Sequence, residues 1–125
     1  MPKYKILIIE DHAVTRKNIA RLLQTEGFEV LLAADGYEAL DLIDSLPDLV
    51  VTDFVMPGLG GGELLRRLRS RAALTPIILI SATATEEITH EIQHCEINDH
   101  IVKPFDLDDL LGRIQSVLTA RSIPS

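Results

Sequence analysis

Leu49-Val50-Val51-Thr52-Asp53 is a mostly apolar run that does not alternate and ends on an acid. A strand with water on one face alternates apolar and polar residues. A run that is apolar at both parities therefore belongs in a sheet covered on both sides. Lys5-Ile6-Leu7-Ile8-Ile9 and Ile77-Ile78-Leu79-Ile80 read the same way. Between and around them lie Glu29 to Ala33, a further strand, and His100-Ile101-Val102, a short fifth one. Helical patterns separate the strands. Val14, Ile19, Leu22 and Leu23 supply one apolar face, of a helix ending at Gly27. Ala39, Leu42, Ile43 and Leu46 fall at i, i+3, i+4 and i+7, before Pro47 closes their helix. Leu64, Leu65 and Leu68 mark a third helix, and Ile88, Ile92 and Cys95 a fourth. Leu107, Leu110, Leu111, Ile114, Val117 and Leu118 mark the last. Strands alternating with helices imply right-handed crossovers and a doubly wound α/β fold. The 121–125 tail is expected to fray.

Composition narrows the function. A chain of 125 residues is one domain's worth, and 46% apolar with 25% charged residues fits a soluble globular protein. Its apolar runs are too short to span a bilayer, and the first residues lack the apolar stretch of a signal peptide. A net charge of −7 argues against direct contact with nucleic acid. The single cysteine, Cys95, cannot form an internal disulfide and fits a reducing cytoplasm.

In open parallel sheets, sites form beyond the carboxyl ends of the strands. Glu10 and Asp11 follow the first strand, Asp53 the third, Ser81 the fourth and Lys103 the fifth. Three clustered carboxylates repel one another, and Mg²⁺, which prefers oxygen ligands, removes that repulsion. The metal then admits a phosphoryl group. A carboxylate can serve as nucleophile, while an ammonium and a hydroxyl balance charge on the transferring oxygens. These residue types suit phosphoryl transfer onto an aspartate.

Four pieces carry a resemblance: Ile8-Ile9-Glu10-Asp11-His12, Val51-Thr52-Asp53-Phe54-Val55-Met56-Pro57-Gly58, Ile80-Ser81-Ala82 and Val102-Lys103-Pro104-Phe105. In this order they resemble the receiver domains of bacterial two-component response regulators, over about Lys5 to Leu118. The resemblance implies a flavodoxin-like sheet of five parallel strands in the order 2-1-3-4-5. It makes Asp53 the phosphoacceptor, in self-catalysed transfer rather than ordinary enzyme turnover. Glu10, Asp11, Asp53 and the backbone carbonyl of Val55 would hold Mg²⁺. Ser81 and Lys103 would contact the phosphoryl oxygens, assisted by backbone N–H groups near Val55 and Ala82. The donor would be a histidine kinase or a histidine phosphotransfer protein. The output would be a downstream protein effector, with neither nucleic acid nor membrane as a direct partner.

The resemblance also makes Ser81 and His100 a switch pair, with His100 where the family usually has an aromatic residue. Either His100 turns inward as a neutral imidazole, so that protonation should oppose the active state, or it stays on the surface and backbone shifts carry the switch. Two further departures stand out. After Met56-Pro57-Gly58 the family often continues with a hydrophobic residue, Asp and Gly, whereas here Gly60, Gly61 and Gly62 run together, which would loosen the loop. Glu96-Ile97 replaces Gly-Ala before the fifth strand, so the turn should differ. His12 is expected in a surface loop, His90 and His94 on a solvated face, and Cys95 and Phe105 in packing.

Rival readings meet specific obstacles. A haloacid-dehalogenase-type aspartyl phosphatase places its nucleophile after the first strand, with a second Asp two residues on. Here that residue is Val55, and no cap domain is present. A flavodoxin-type flavin carrier needs a phosphate loop where Glu10-Asp11 would repel the phosphate. The chain reads as one receiver domain over 1–125 with no output domain, either stand-alone or excised from a hybrid kinase or longer regulator.

Overall fold

The computed structural model describes residues 3–56, 58–82 and 85–122. Five parallel strands, β1 (Lys5–Ile9), β2 (Glu29–Ala33), β3 (Leu49–Asp53), β4 (Ile77–Ser81) and β5 (Asp99–Val102), form one sheet in the order β2-β1-β3-β4-β5. The helices are α1 (Ala13–Thr25), α2 (Gly36–Leu42), α3 (Gly61–Arg71), α4 (Glu86–His94) and α5 (Leu107–Ser122). Strands β3 and β4 are buried along their whole length, which is why their sequences do not alternate. Residues of opposite parity feed two cores. Leu7, Val50 and Leu79 pack with α2, α3 and α4, while Ile8, Val51 and Ile78 pack with α1 and α5.

Two residues leave the faces assigned to them. Val14 is 73% exposed, because it sits in the first turn of α1 and only the later turns meet the sheet. Leu46 is 81% exposed. The α2 helix stops at Leu42, a 3₁₀ turn spans Ile43–Ser45, and Leu46 turns left-handed at φ 58°. Pro47 follows it, and a proline disfavours the helical conformation in the residue before. At the other end of the chain, α5 runs through Ser122 rather than fraying at Arg121, and 123–125 lie outside the described residues, as does Pro57.

The turn before β5 is not re-routed. At the end of α1, Gly27 has φ 91° and the Phe28 N–H donates to the Leu23 carbonyl at 3.0 Å. Glu96 has φ 54° and the Ile97 N–H donates to the Ile92 carbonyl at 3.0 Å, so both helices end in the same Schellman arrangement. A side chain in this conformation costs about 1–2 kcal/mol, partly offset by the greater freedom glycine has in the unfolded chain. Glu96→Gly is therefore expected to stabilise the fold by about 1 kcal/mol, read as a melting temperature roughly 4 °C higher. An unchanged or lower melting temperature would mean that Glu96 makes a compensating contact.

Candidate functional site

The ladders continue one residue past the strands and bring their carboxyl ends level. The Glu10 N–H donates to Ala33, the Phe54 N–H to Ile80 and the Lys103 N–H to Ser81, at 3.1, 2.9 and 2.7 Å. Ile9 pairs with Thr52, so Glu10 and Asp53 stand side by side. Both are nearly inaccessible, at 2% and 4% exposure, whereas Asp11 is half-buried. Buried carboxylates need partners. Lys103 Nζ lies 2.5 Å from Asp53 Oδ2 and 4.0 Å from Glu10 Oε2. The Val55 N–H donates to Asp53 Oδ1 at 3.2 Å, and the His12 N–H to Glu10 Oε1 at 3.1 Å. The Lys103–Pro104 peptide bond is cis.

The electrostatics follow from this crowding. Burial raises the pKa of Glu10 above the ordinary carboxylate range, and the charge on Asp53 pushes it the same way. The His12 backbone bond and Lys103 oppose them without reversing the result. Burial pulls Lys103 down, but its bond to Asp53 and the charges of Asp53, Glu10 and Asp11 outweigh burial and hold it above its usual value. Three carboxylates facing one ammonium leave two formal negative charges in the cluster. One divalent cation would balance that charge, so the donor set fits Mg²⁺. Ligand atoms of Glu10, Asp11 and His12 already lie within 4.8 Å of one another.

Ser81 is fully buried at the end of β4, beside Asp53's strand, and its Oγ lies 2.6 Å from His100 Nε2. Ala82 is exposed next to it. The structure thus joins Asp53, Lys103 and Glu10 directly, sets Asp11 beside them, and links Ser81 to His100.

Other residues matter that the sequence reading passed over. Arg16 Nη1 donates to the carbonyls of Glu10 and Asp11 at 2.8 and 3.3 Å and so fixes the acid loop. A cation one turn into the helix after an acid pair was the available signal. Gly61 has a positional reason, since a Cβ there would lie 2.1 Å from the Phe54 carbonyl oxygen. Glycine at 61 therefore permits close packing of α3 on the loop after Asp53, rather than loosening it.

The histidines resolve simply. His12 is exposed at the rim of the acid cluster. His90-Glu91-Ile92-Gln93-His94 has the H-E-x-x-H spacing of zinc hydrolases. However, Glu91 is buried against Arg66 at 2.7 Å and is therefore not free to act as a base. His90 and His94 are exposed, their rings stacked with centroids 5.5 Å apart. Cys95 is in the core on the α2, α3 and α4 face of the sheet, and Phe105 packs against the separate core on the α1 and α5 face.

The family model of the response regulator receiver domain matches residues 6–115. This chain belongs to that family. It is 38% identical over 121 residues to the response regulator MprA of Mycobacterium sp. strain KMS, covering 94% of this chain and 52% of that protein. It is also 38% identical over 129 residues to the alkaline phosphatase synthesis transcriptional regulatory protein SphR of Synechococcus elongatus, covering 94% and 49%. The chain thus spans about half the length of these curated relatives. Among solved structures, the chemotaxis protein CheY4 of Vibrio cholerae superposes with a TM-score of 0.85 at 31% identity, over 93% of this chain and 99% of that one. The receiver domain of Francisella response regulator 1452 gives 0.86 at 31%, over 96% and 100%. As a receiver domain, the chain is a phosphoacceptor module of two-component signalling. Among the described residues no helix is long and apolar enough to cross a membrane.

Proposed function

We propose that Asp53 accepts a phosphoryl group from the phosphohistidine of a histidine kinase or a histidine phosphotransfer protein, in the cytoplasm. The observation that carries this is the buried Asp53 carboxylate, held by Lys103 at 2.5 Å beside Glu10 at the carboxyl edge of a receiver sheet. An Asp53 oxygen forms the new P–O bond as the donor's P–N bond breaks, and the electron pair leaves on the donor imidazole. Lys103 neutralises charge on the phosphoryl oxygens, and the Ser81 hydroxyl and the backbone N–H groups at Val55 and Ala82 donate to them. Glu10, Asp11, Asp53 and the Val55 carbonyl would hold Mg²⁺, which when bound supplies a positive charge opposite the incoming phosphate. Ser81 and His100 relay the occupancy of Asp53 to the surface of α4, β5 and α5, where a downstream protein reads it. The net charge of −7 supports a protein rather than nucleic acid as that reader.

The test is incubation with a phosphorylated histidine donor or acetyl phosphate, followed by intact-mass and peptide analysis. One phosphoryl group on Asp53 that disappears with EDTA is expected. Equal labelling without divalent cation, or label elsewhere, would overturn the proposal. Asp11→Ala is expected to weaken Mg²⁺ binding at least about tenfold in calorimetry, since Mg²⁺ is held by few protein groups and even outer-shell losses cost that much. Unchanged affinity would place the metal elsewhere.

A further inference from the structure

We infer that His100 is a positioning residue for Ser81. It accepts the Ser81 hydroxyl proton while Asp53 is a free carboxylate, and must itself donate to Ser81 once that proton is given to a phosphoryl oxygen. This deepens the proposed phosphoacceptor role of Asp53 and rests on it. The observation is the 2.6 Å contact between Ser81 Oγ and His100 Nε2. A hydroxyl has one proton but can accept as well as donate. It can give that proton to imidazole or to phosphate, not to both. A phosphoryl oxygen is acceptor-only, so it claims the proton. Ser81 Oγ and an unprotonated Nε2 would then face each other as two acceptors at 2.6 Å. Either the contact breaks or Nε2 gains a proton, by tautomer exchange from Nδ1 or by uptake of one proton from solvent.

The surroundings decide between these. The His100 backbone is pinned on both sides: its N–H donates to Asp99 Oδ1 at 2.8 Å, and Arg113 Nη1 lies 2.9 Å from the same oxygen and 3.4 Å from the His100 carbonyl. The neighbouring strand β4 contributes the Ser81 hydroxyl. From α5 comes Arg113, itself paired with Asp109, and β5 contributes Asp99. Burial, with help from Arg113, keeps the imidazole below its ordinary pKa, while Asp99 opposes it. With the backbone fixed beside Ser81, a ring that stays against the hydroxyl meets the new acceptor by taking up a proton. Proton uptake linked to phosphorylation means that lower pH favours the phosphorylated arrangement, and that the advantage is lost as pH rises through the elevated pKa. Packing alone gives the opposite sign; the bond to Ser81 is what reverses it.

The experiment is ¹⁵N NMR of the His100 imidazole across about pH 6 to 8, with and without acetyl phosphate and Mg²⁺, Asp53 occupancy being followed by mass. Nε2 is expected to change from acceptor to protonated donor, with the His100 pKa rising by at least about one unit, a tenfold gain in proton affinity. Ser81→Ala keeps the phosphoryl charge but removes the hydroxyl, and most of the rise should vanish. His100→Gln, which can donate or accept but does not titrate in this range, should abolish the pH dependence of the phosphoryl lifetime. An unchanged Nε2 on protein labelled at Asp53 overturns this inference alone, as does an undiminished rise in Ser81→Ala. Absence of label on Asp53 overturns the parent reading and this one with it.

Discussion

Asp53→Asn is expected to reduce phosphoryl labelling to background while leaving the fold intact. Asparagine keeps the size of the side chain but only one of the two oxygens that now accept from Lys103 Nζ at 2.5 Å and from the Val55 N–H at 3.2 Å, so one of these two bonds is kept and the other lost. What is lost is the anionic oxygen that attacks phosphorus, and an amide does not replace it as a nucleophile. The substitution also removes one negative charge beside Glu10, whose pKa is held up by burial and by Asp53. Relief of Glu10 opposes the loss of the charged partner of Lys103, so the variant should stay folded and melt close to the wild-type temperature. Loss of labelling with retained stability separates a chemical role from a structural one. Stoichiometric label on a folded Asp53→Asn protein would show that another residue is the acceptor.

Gly61→Ala is expected to be the most destabilising single-methyl change near the site. The new Cβ would meet the Phe54 carbonyl oxygen at 2.1 Å and the Phe54 ring at 2.8 and 2.9 Å. The first of these atoms is backbone, anchored by the Phe54 N–H bond to Ile80 at 2.9 Å, so it cannot swing aside as a side chain would. Overpacking of this kind costs about 3 kcal/mol or more, equivalent to roughly 10 °C in melting temperature for a domain of this size. Because the displaced carbonyl is one residue from Asp53, labelling should slow as well. Gly60 is the control: no atom would crowd its Cβ, and its φ of −64° is ordinary. It is the N-cap of α3, so Gly60→Ser should be neutral or slightly stabilising. A Gly61→Ala protein melting within about 2 °C of wild type would show that α3 and the loop after Asp53 can part without cost.

The sequence by itself determined the sheet and which polar residues stand at its carboxyl edge. Runs apolar at both parities, such as Leu49 to Val51, can only be buried on both faces. Parallel strands then bring Glu10, Asp53, Ser81 and Lys103 to one edge whatever their separation along the chain. Tertiary structure decided what depends on contacts between elements. Helical periodicity placed Val14 and Leu46 on apolar faces. It could not register that the first turn of α1 stands clear of the sheet, or that Pro47 forces Leu46 out of the helix. A glycine run reads as loose until the Phe54 carbonyl is seen against Gly61. A glutamate at position 96 reads as a changed turn until its backbone proves left-handed. The bond between Ser81 and His100 joins residues on neighbouring strands whose register no local pattern encodes. Local propensity and periodicity are written along the chain, whereas hydrogen-bond partners and close approaches are set by how the sheet and helices meet.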